Sequence, residues 1–289
     1  TFAQQYTDET VLNNSLVVEC GDRSRYISYN DIYVQEADIY SYSYSTSFDG
    51  EGAITSAIDY VVSDELPQVY LLEGHGEGEL PATFRDQVEK ENIQLTSLSL
   101  LTVDEIPEDA ACIFIYAPTS DISQEEKVML SDYVAQGGKL LVMAGTTEDG
   151  TLENLTSLLT DYGVTVHEGI VVEGDRNHYA FQTPYVLLPD MQSSGITDSL
   201  MESSYFPIMP IAQGLTVPET VAGGATVTAL LTTSDSAFSK VAGYSLDTYE
   251  KEEGDIDGPF AVAVSIENSS DGGIVWFGSS SFLEDMYNA

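Results

Sequence analysis

The segment GHGEGE sets His75, Glu77 and Glu79 at alternate positions directly after an apolar run, VYLLEG, that reads as a strand. An imidazole beside carboxylates can relay a proton or hold a borderline metal ion such as Zn²⁺ or Mn²⁺. The intervening glycines allow a ligand to approach the backbone closely. Further acids, Asp121, Glu148 and Asp149, fall in turns after other strand-like runs. The candidate ligand-binding set is therefore His75, Glu77, Glu79, Asp121 and Glu148, with no dedicated metal site and no catalytic residue assigned. A bland reading competes with it, in which the loop is only a turn between strand and helix. The GxGxG spacing lacks the third glycine of a dinucleotide fingerprint, and its acids would repel a pyrophosphate. No cofactor is expected.

Covalent catalysis needs a Cys, Ser or Thr on a strained strand-to-helix turn, with a His oriented by an acid. The matching turn, MAGTTEDG, offers only Thr146 and Thr147. Cys20 and Cys112 lie in SLVVEC and ACIFIY, where a thiol is expected as a small buried hydrophobe. Two such cysteines make no disulfide framework. His167 sits in a strand-like run and His178 beside Arg176 and Tyr179, without partners that sequence can name. The segment EEGDIDG, residues 252–258, has the acid spacing of part of a Ca²⁺ loop but lacks the closing bidentate Glu, so it reads as an acidic turn. The chain is expected not to be an enzyme.

These residues need a frame, and the pattern supplies one. From Tyr70 onward short apolar runs alternate with amphipathic stretches, which predicts βαβ units and a mostly parallel sheet. VYLLEG leads through a helix at 83–91 to a strand at 95–100. ACIFIYAP leads to a helix opened by Ser123, with Glu126 three residues on completing a capping box and Leu130, Tyr133 and Val134 forming the buried stripe. Gly137 and Gly138 end that helix, and the strand KLLVMAG follows. A third helix, 152–162, leads to TVHEGIVVEG, expected as one strand. Residues 175–218 lose periodicity and collect Pro and Ser, which predicts an irregular excursion across one sheet edge. TVTALLTT, PFAVAVSIE and GGIVWFGSS then complete the sheet. In such a sheet ligands bind beyond the carboxyl ends of the strands, so a site belongs in the loops after Gly74, Ala117 and Gly145.

Residues 1–48 read differently, as a hairpin of LVVECG and SRYISY, an acidic helical turn and the run IYSYSYSTSF. Strand alternation would put Tyr40, Tyr42 and Tyr44 on one face, packed against a neighbouring domain rather than serving as a carbohydrate platform. A domain boundary is expected between residues 48 and 49, with the α/β domain spanning 49–289.

Nine Lys and Arg stand against 48 Asp and Glu, a net charge of −39 that repels phosphate backbones and anionic lipid and so excludes nucleic-acid binding. The charge reads first as solubility and second as attraction for cations such as Ca²⁺. No stretch approaches the roughly 18 to 20 apolar residues of a membrane-spanning helix. Both ends read as cuts in a longer protein, with any membrane association left to segments absent from this chain.

FDGEGAITSAIDYV followed by LPQVYLLEGHGEGEL resembles the auxiliary proteins of ABC transporters related to the gliding-motility ABC component. GGKLLVMAG, the pair PYVLLPD and SGITDSL, MPIAQGL, GPFAVAVSIEN and WFGSSSFLED follow in the family's order and rough spacing, so the resemblance covers most of residues 48–285. It implies an α/β domain, flavodoxin-like and similar to class I glutamine-amidotransferase folds, with helices on both faces of the sheet. Before it, residues 1–48 would be the last piece of a thioredoxin-like region. It also implies a membrane-anchored protein outside a bacterial cell membrane, partnered by an ABC permease and ATPase and presenting an unknown small-molecule or polymer substrate. The runner-up is a cation-dependent binding protein or hydrolase built on the loop around His75. Relatives tend to carry His before the Ile-Thr of SGITDSL, where this chain has Gly195, so no role built on that His transfers.

Overall fold

The structure, a computed structural model, describes residues 2–8, 10–38, 43–284 and 286–287. The first strands are β1 (Leu16–Cys20), β2 (Arg23–Ile27), β3 (Tyr33–Asp38), β4 (Ser43–Phe48), β5 (Gln68–Leu72), β6 (Gln94–Leu98), β7 (Ala110–Tyr116) and β8 (Lys139–Met143). Short strands follow: β9 (Thr165–Val166), β10 (Ile170–Val172), β11 (Val186–Leu187), β12 (Asp190–Met191), β13 (Met209–Pro210) and β14 (Leu215–Thr216). The last are β15 (Thr226–Thr232), β16 (Phe238–Lys240), β17 (Ile256–Asp257), β18 (Ala261–Glu267) and β19 (Gly273–Phe277). The helices are α1 (Tyr29–Ile32), α2 (Gly50–Val62), α3 (Ala82–Lys90), α4 (Gln124–Ala135), α5 (Glu153–Thr160) and α6 (Asp198–Glu202).

Two compact units result, one of Thr1–Gln68, Pro81–Leu95 and Asp285–Ala289, the other of Val69–Leu80 and Thr96–Glu284. The division does not fall at the expected position between residues 48 and 49. Packing is the reason. Ala53 and Ala57, one turn apart on α2, bury against Ile27 and Ile32, so α2 belongs with the β1–β2 hairpin. The end of α3 is tied there too, because Arg25 donates to the Glu89 carbonyl and to the Asn92 side chain, which donates to the Ser56 carbonyl. Tyr40 and Tyr42 lie outside the described residues, as does the Tyr44 side chain, so their expected shared face does too.

The second unit is built on an α/β sheet whose main order is β12-β15-β18-β19-β8-β7-β5-β6. β7, β8 and β19 run parallel, while β18, β15 and β12 extend the sheet antiparallel. AACIFIY and KLLVM are near-continuous apolar runs because a parallel strand is covered on both faces. On one face, Leu130 and Val134 of α4 and Leu155, Leu158 and Leu159 of α5 pack on Ile113, Ile115, Val142 and Trp276. On the other, Leu187 and Met209 of the irregular region and Val171 of β10 pack with Phe260, Val262 and Ala263. The excursion thus covers a sheet face and supplies the edge strand β12.

TVHEGIVVEG is not one strand. It breaks at Gly169, whose φ is +92°, and a Cβ there would sit 2.1 Å from the Lys240 carbonyl oxygen. β9 stays with the large sheet through β14, and β10 joins β16 and β17 in a separate three-stranded sheet. The cysteine expectation also needs correcting. Cys20 is exposed, because it ends a strand of an open two-stranded hairpin just before its turn. Cys112 is half-buried, and burial pushes its thiol up to about 11.

Candidate functional site

The loop after β5 folds back onto the loop after β7. The His75 carbonyl accepts from the backbone N–H of Thr119 and Ser120, at 3.0 and 2.9 Å, and Gly78 N–H donates to the Tyr116 carbonyl. A Cβ at 78 would crowd the Tyr116 ring and the Ala117 methyl, each at 3.2 Å. The glycines of GHGEGE therefore let two protein loops approach, where the sequence reading had them admitting a ligand.

His75 itself is buried, with both ring nitrogens on carboxylates: Nδ1 is 3.1 Å from Glu77 Oε1 and Nε2 is 3.1 Å from Glu126 Oε2. Glu77 Oε2 also accepts the His75 backbone N–H. Glu126 Oε2 accepts the Ser123 N–H while Ser123 Oγ accepts the Glu126 N–H, so one carboxylate closes the capping box of α4 and the ion pair together. Burial pushes the Glu126 carboxyl up, but the Ser123 and His75 interactions outweigh it and hold the group below the usual range. Its Oε1 is buried without a hydrogen-bond partner.

The other candidate residues do not join this cluster. Asp121 caps α5, with Oδ2 accepting from Asn154 N–H and Oδ1 from Leu155 N–H, because Leu152 at the helix start provides no side-chain cap. Glu79 and Glu148 are exposed. Of the five residues, only His75 and Glu77 meet, and the third partner, Glu126, shows in the sequence only as a helix-start residue. Among the described residues, no group of three or more His, Cys, Asp or Glu is arranged to hold a metal ion.

The strained turn also lies elsewhere than expected. Thr146 Oγ donates to the Gly169 carbonyl and Thr147 Oγ to the Gly150 carbonyl, so both hydroxyls are engaged by backbone. Directly after β7, Ala117 is a non-glycine residue in the left-handed region, φ +49°.

Three further clusters were invisible in sequence. Lys240, wholly buried, puts its ammonium 3.0 Å from Asp255 Oδ2, on the Glu252 carboxylate and on the Glu250 carbonyl. The acidic turn of EEGDIDG is thus gathered around the protein's own cation. His178 lies between Asp175 at 3.1 Å and Asp190 at 3.4 Å. His167 Nε2 is 2.7 Å from Thr216 Oγ1, a hydroxyl–imidazole contact on the β9–β14 ladder rather than at the ends of β5, β7 and β8. Burial holds that imidazole below its usual range, and its ring edge meets Phe260.

Residues 66–272 match the family described as "ABC-type uncharacterized transport system", an ABC-transporter auxiliary family. The chain belongs to this family. Membership gives it the role of an auxiliary transport component and associates it with the other parts of an ABC system. Curated proteins give no match. Among solved structures, the mmIFT52 N-terminal domain is similar at 17% identity and a TM-score of 0.54, over 76% of this chain and 89% of that one. That likeness concerns the fold. Lower similarity extends to the exo-β-1,4-mannosidase Op5Man5 from Opitutaceae bacterium strain TAV5, at 13% identity and TM-score 0.40, over 82% of this chain and 36% of that one. A glutamine amidotransferase from Thermotoga maritima also has TM-score 0.40, at 8% identity over 74% and 75%.

Proposed function

We propose that this auxiliary component acts without making or breaking covalent bonds, as an interaction module that contacts the permease or presents substrate to it. The observation that carries the reading is the closure of the strand-end loops: His75, Glu77 and Asp121 are engaged by the protein's own groups. A metal centre needs an open coordination position and a general base needs reach to a substrate proton, whereas the buried His75 ring has both nitrogens on carboxylates of its own chain. The runner-up, a cation-dependent binding protein or hydrolase, would have to break this ion pair first.

The module acts outside the cell membrane, anchored by segments beyond this chain, and is akin to the gliding-motility branch of the family. That part rests on the motif resemblance. Residues 1–48 are on the same ground the last piece of a thioredoxin-like region. No helix among the described residues is long and apolar enough to cross a membrane. Co-purification of the full-length protein with its permease and ATPase in mild detergent tests the reading, and absence of a complex would sink it. Melting curves with EDTA, Ca²⁺, Mn²⁺ or Zn²⁺ test the runner-up, since a ligand of the native state raises Tm by mass action. A flat response is expected.

A further inference from the structure

The excursion carries a run of exposed apolar side chains. Ile196, Leu200 and Met201 are each more than two-fifths exposed, Tyr205 is 65% exposed and Phe206 82%. Their backbone is well built: Asp198 accepts from the Ser193 hydroxyl and Ser194 N–H, and Thr197 donates to the Gln192 carbonyl. The apolar groups are thus held outward by a hydrogen-bonded frame. Ile196 also walls a groove of about 440 Å³, whose floor includes Val275 and Ser265. Acids rim both parts, Glu267 and Asp271 at the groove against one base, Lys139, and Asp198 and Glu202 on α6.

We infer that the strip from Ile196 to Phe206, with the adjoining groove, is a docking surface for another protein of the same transport system. Its occupant is a segment with aliphatic or aromatic anchors flanked by Lys or Arg. The inference rests on the family role proposed above. Contiguous exposed apolar side chains with a polar rim mark interaction sites, and protruding aromatics serve as anchors at their centres. The acidic rim and the net charge of −39 select a cationic flank and oppose an anionic lipid surface.

The test compares the wild-type full-length protein with Leu200→Glu/Phe206→Glu and with Asp198→Lys/Glu202→Lys, each co-expressed with permease and ATPase. Circular dichroism and melting curves verify the fold of each variant. At least tenfold lower recovery of the partners by both variants, from an intact wild-type complex, is the expected result. Undiminished recovery by the apolar variant overturns the docking surface while the transport role stands, and undiminished recovery by the charge variant overturns the basic flank. No complex with the wild type overturns both readings. Flotation of the wild type with phosphatidylcholine/phosphatidylglycerol vesicles, lost in the apolar variant, would assign the strip to lipid. A wild-type dimer in sedimentation that the apolar variant dissolves would assign it to a second copy of the chain.

Discussion

The strand-end loops and the excursion treat their side chains in opposite ways. In the loops after β5 and β7, polar groups turn inward, where His75, Glu77 and Glu126 form a buried hydrogen-bonded cluster and seal the place where α/β proteins usually bind ligands. In the excursion, apolar groups turn outward on a hydrogen-bonded frame. The first arrangement consumes chemistry to make rigidity, and the second forgoes burial to leave a surface. The molecule's unspent capacity is therefore contact area rather than titratable groups.

The sharpest way to break the comparison is Glu126→Ala. It strips the buried imidazole of a partner and opens the α4 capping box, so urea unfolding should lose about 3 to 4 kcal/mol. A loss below about 1 kcal/mol would mean the loops are not clamped by this cluster. Lys240→Met comes next, leaving Glu252 and Asp255 facing each other without their ammonium. The expected result is a Tm lower by roughly 5 to 10 °C, with hydrogen exchange accelerated at 248–256. If Ca²⁺ rather than Lys240 organised that turn, EDTA would lower the Tm of the wild type and Lys240→Met would melt close to it.

Asp121→Ala removes the acceptor for two N–H groups of α5 and should cost about 1 to 2 kcal/mol. The same substitution separates a capping role from a ligand role, since only the former predicts equal losses with and without added cations. pH gives a finer readout. Glu126 is lower in the folded state than its usual 4.5, so its contribution is present above that value and lost as pH falls through the folded one. Wild type should exceed Glu126→Gln by about 1 kcal/mol at pH 7, and the two unfolding curves should converge once the pH has fallen through the lowered folded-state range of Glu126. The smallest effect belongs to the outward strip, where Leu200→Glu/Phe206→Glu should shift stability by no more than about 0.5 kcal/mol. A large loss there would show that the strip packs internally.

Much of the frame could be read without coordinates because each level of the signal agreed. Ser123 and Glu126 marked the start of α4, the glycines at 137 and 138 its end, and the apolar runs of β7, β8, β18 and β19 their burial. Prediction failed where a residue's environment comes from distant chain. Gly169 breaks a strand because of the Lys240 carbonyl, 71 residues away. α2 was not marked as a helix of the first unit, because its apolar residues form two adjacent rows, Ala53, Ala57 and Val61 beside the exposed Ile54, Ile58 and Val62. Such a broad stripe does not announce which side is core.

For the site, the sequence by itself determined that His75 would be flanked by acids in a glycine-rich loop after a strand, and that no Cys, Ser or Thr stood beside a His at a strand-to-helix turn. Local spacing carries that information. What only the tertiary structure decided was the fate of those groups: that Glu126, 51 residues on, would take the second ring nitrogen, that Lys240 would fill the acidic turn, and that Phe206 would stay in solvent. Charge pairing and burial depend on which segments the sheet brings together, and strand order is a long-range property that no local pattern encodes.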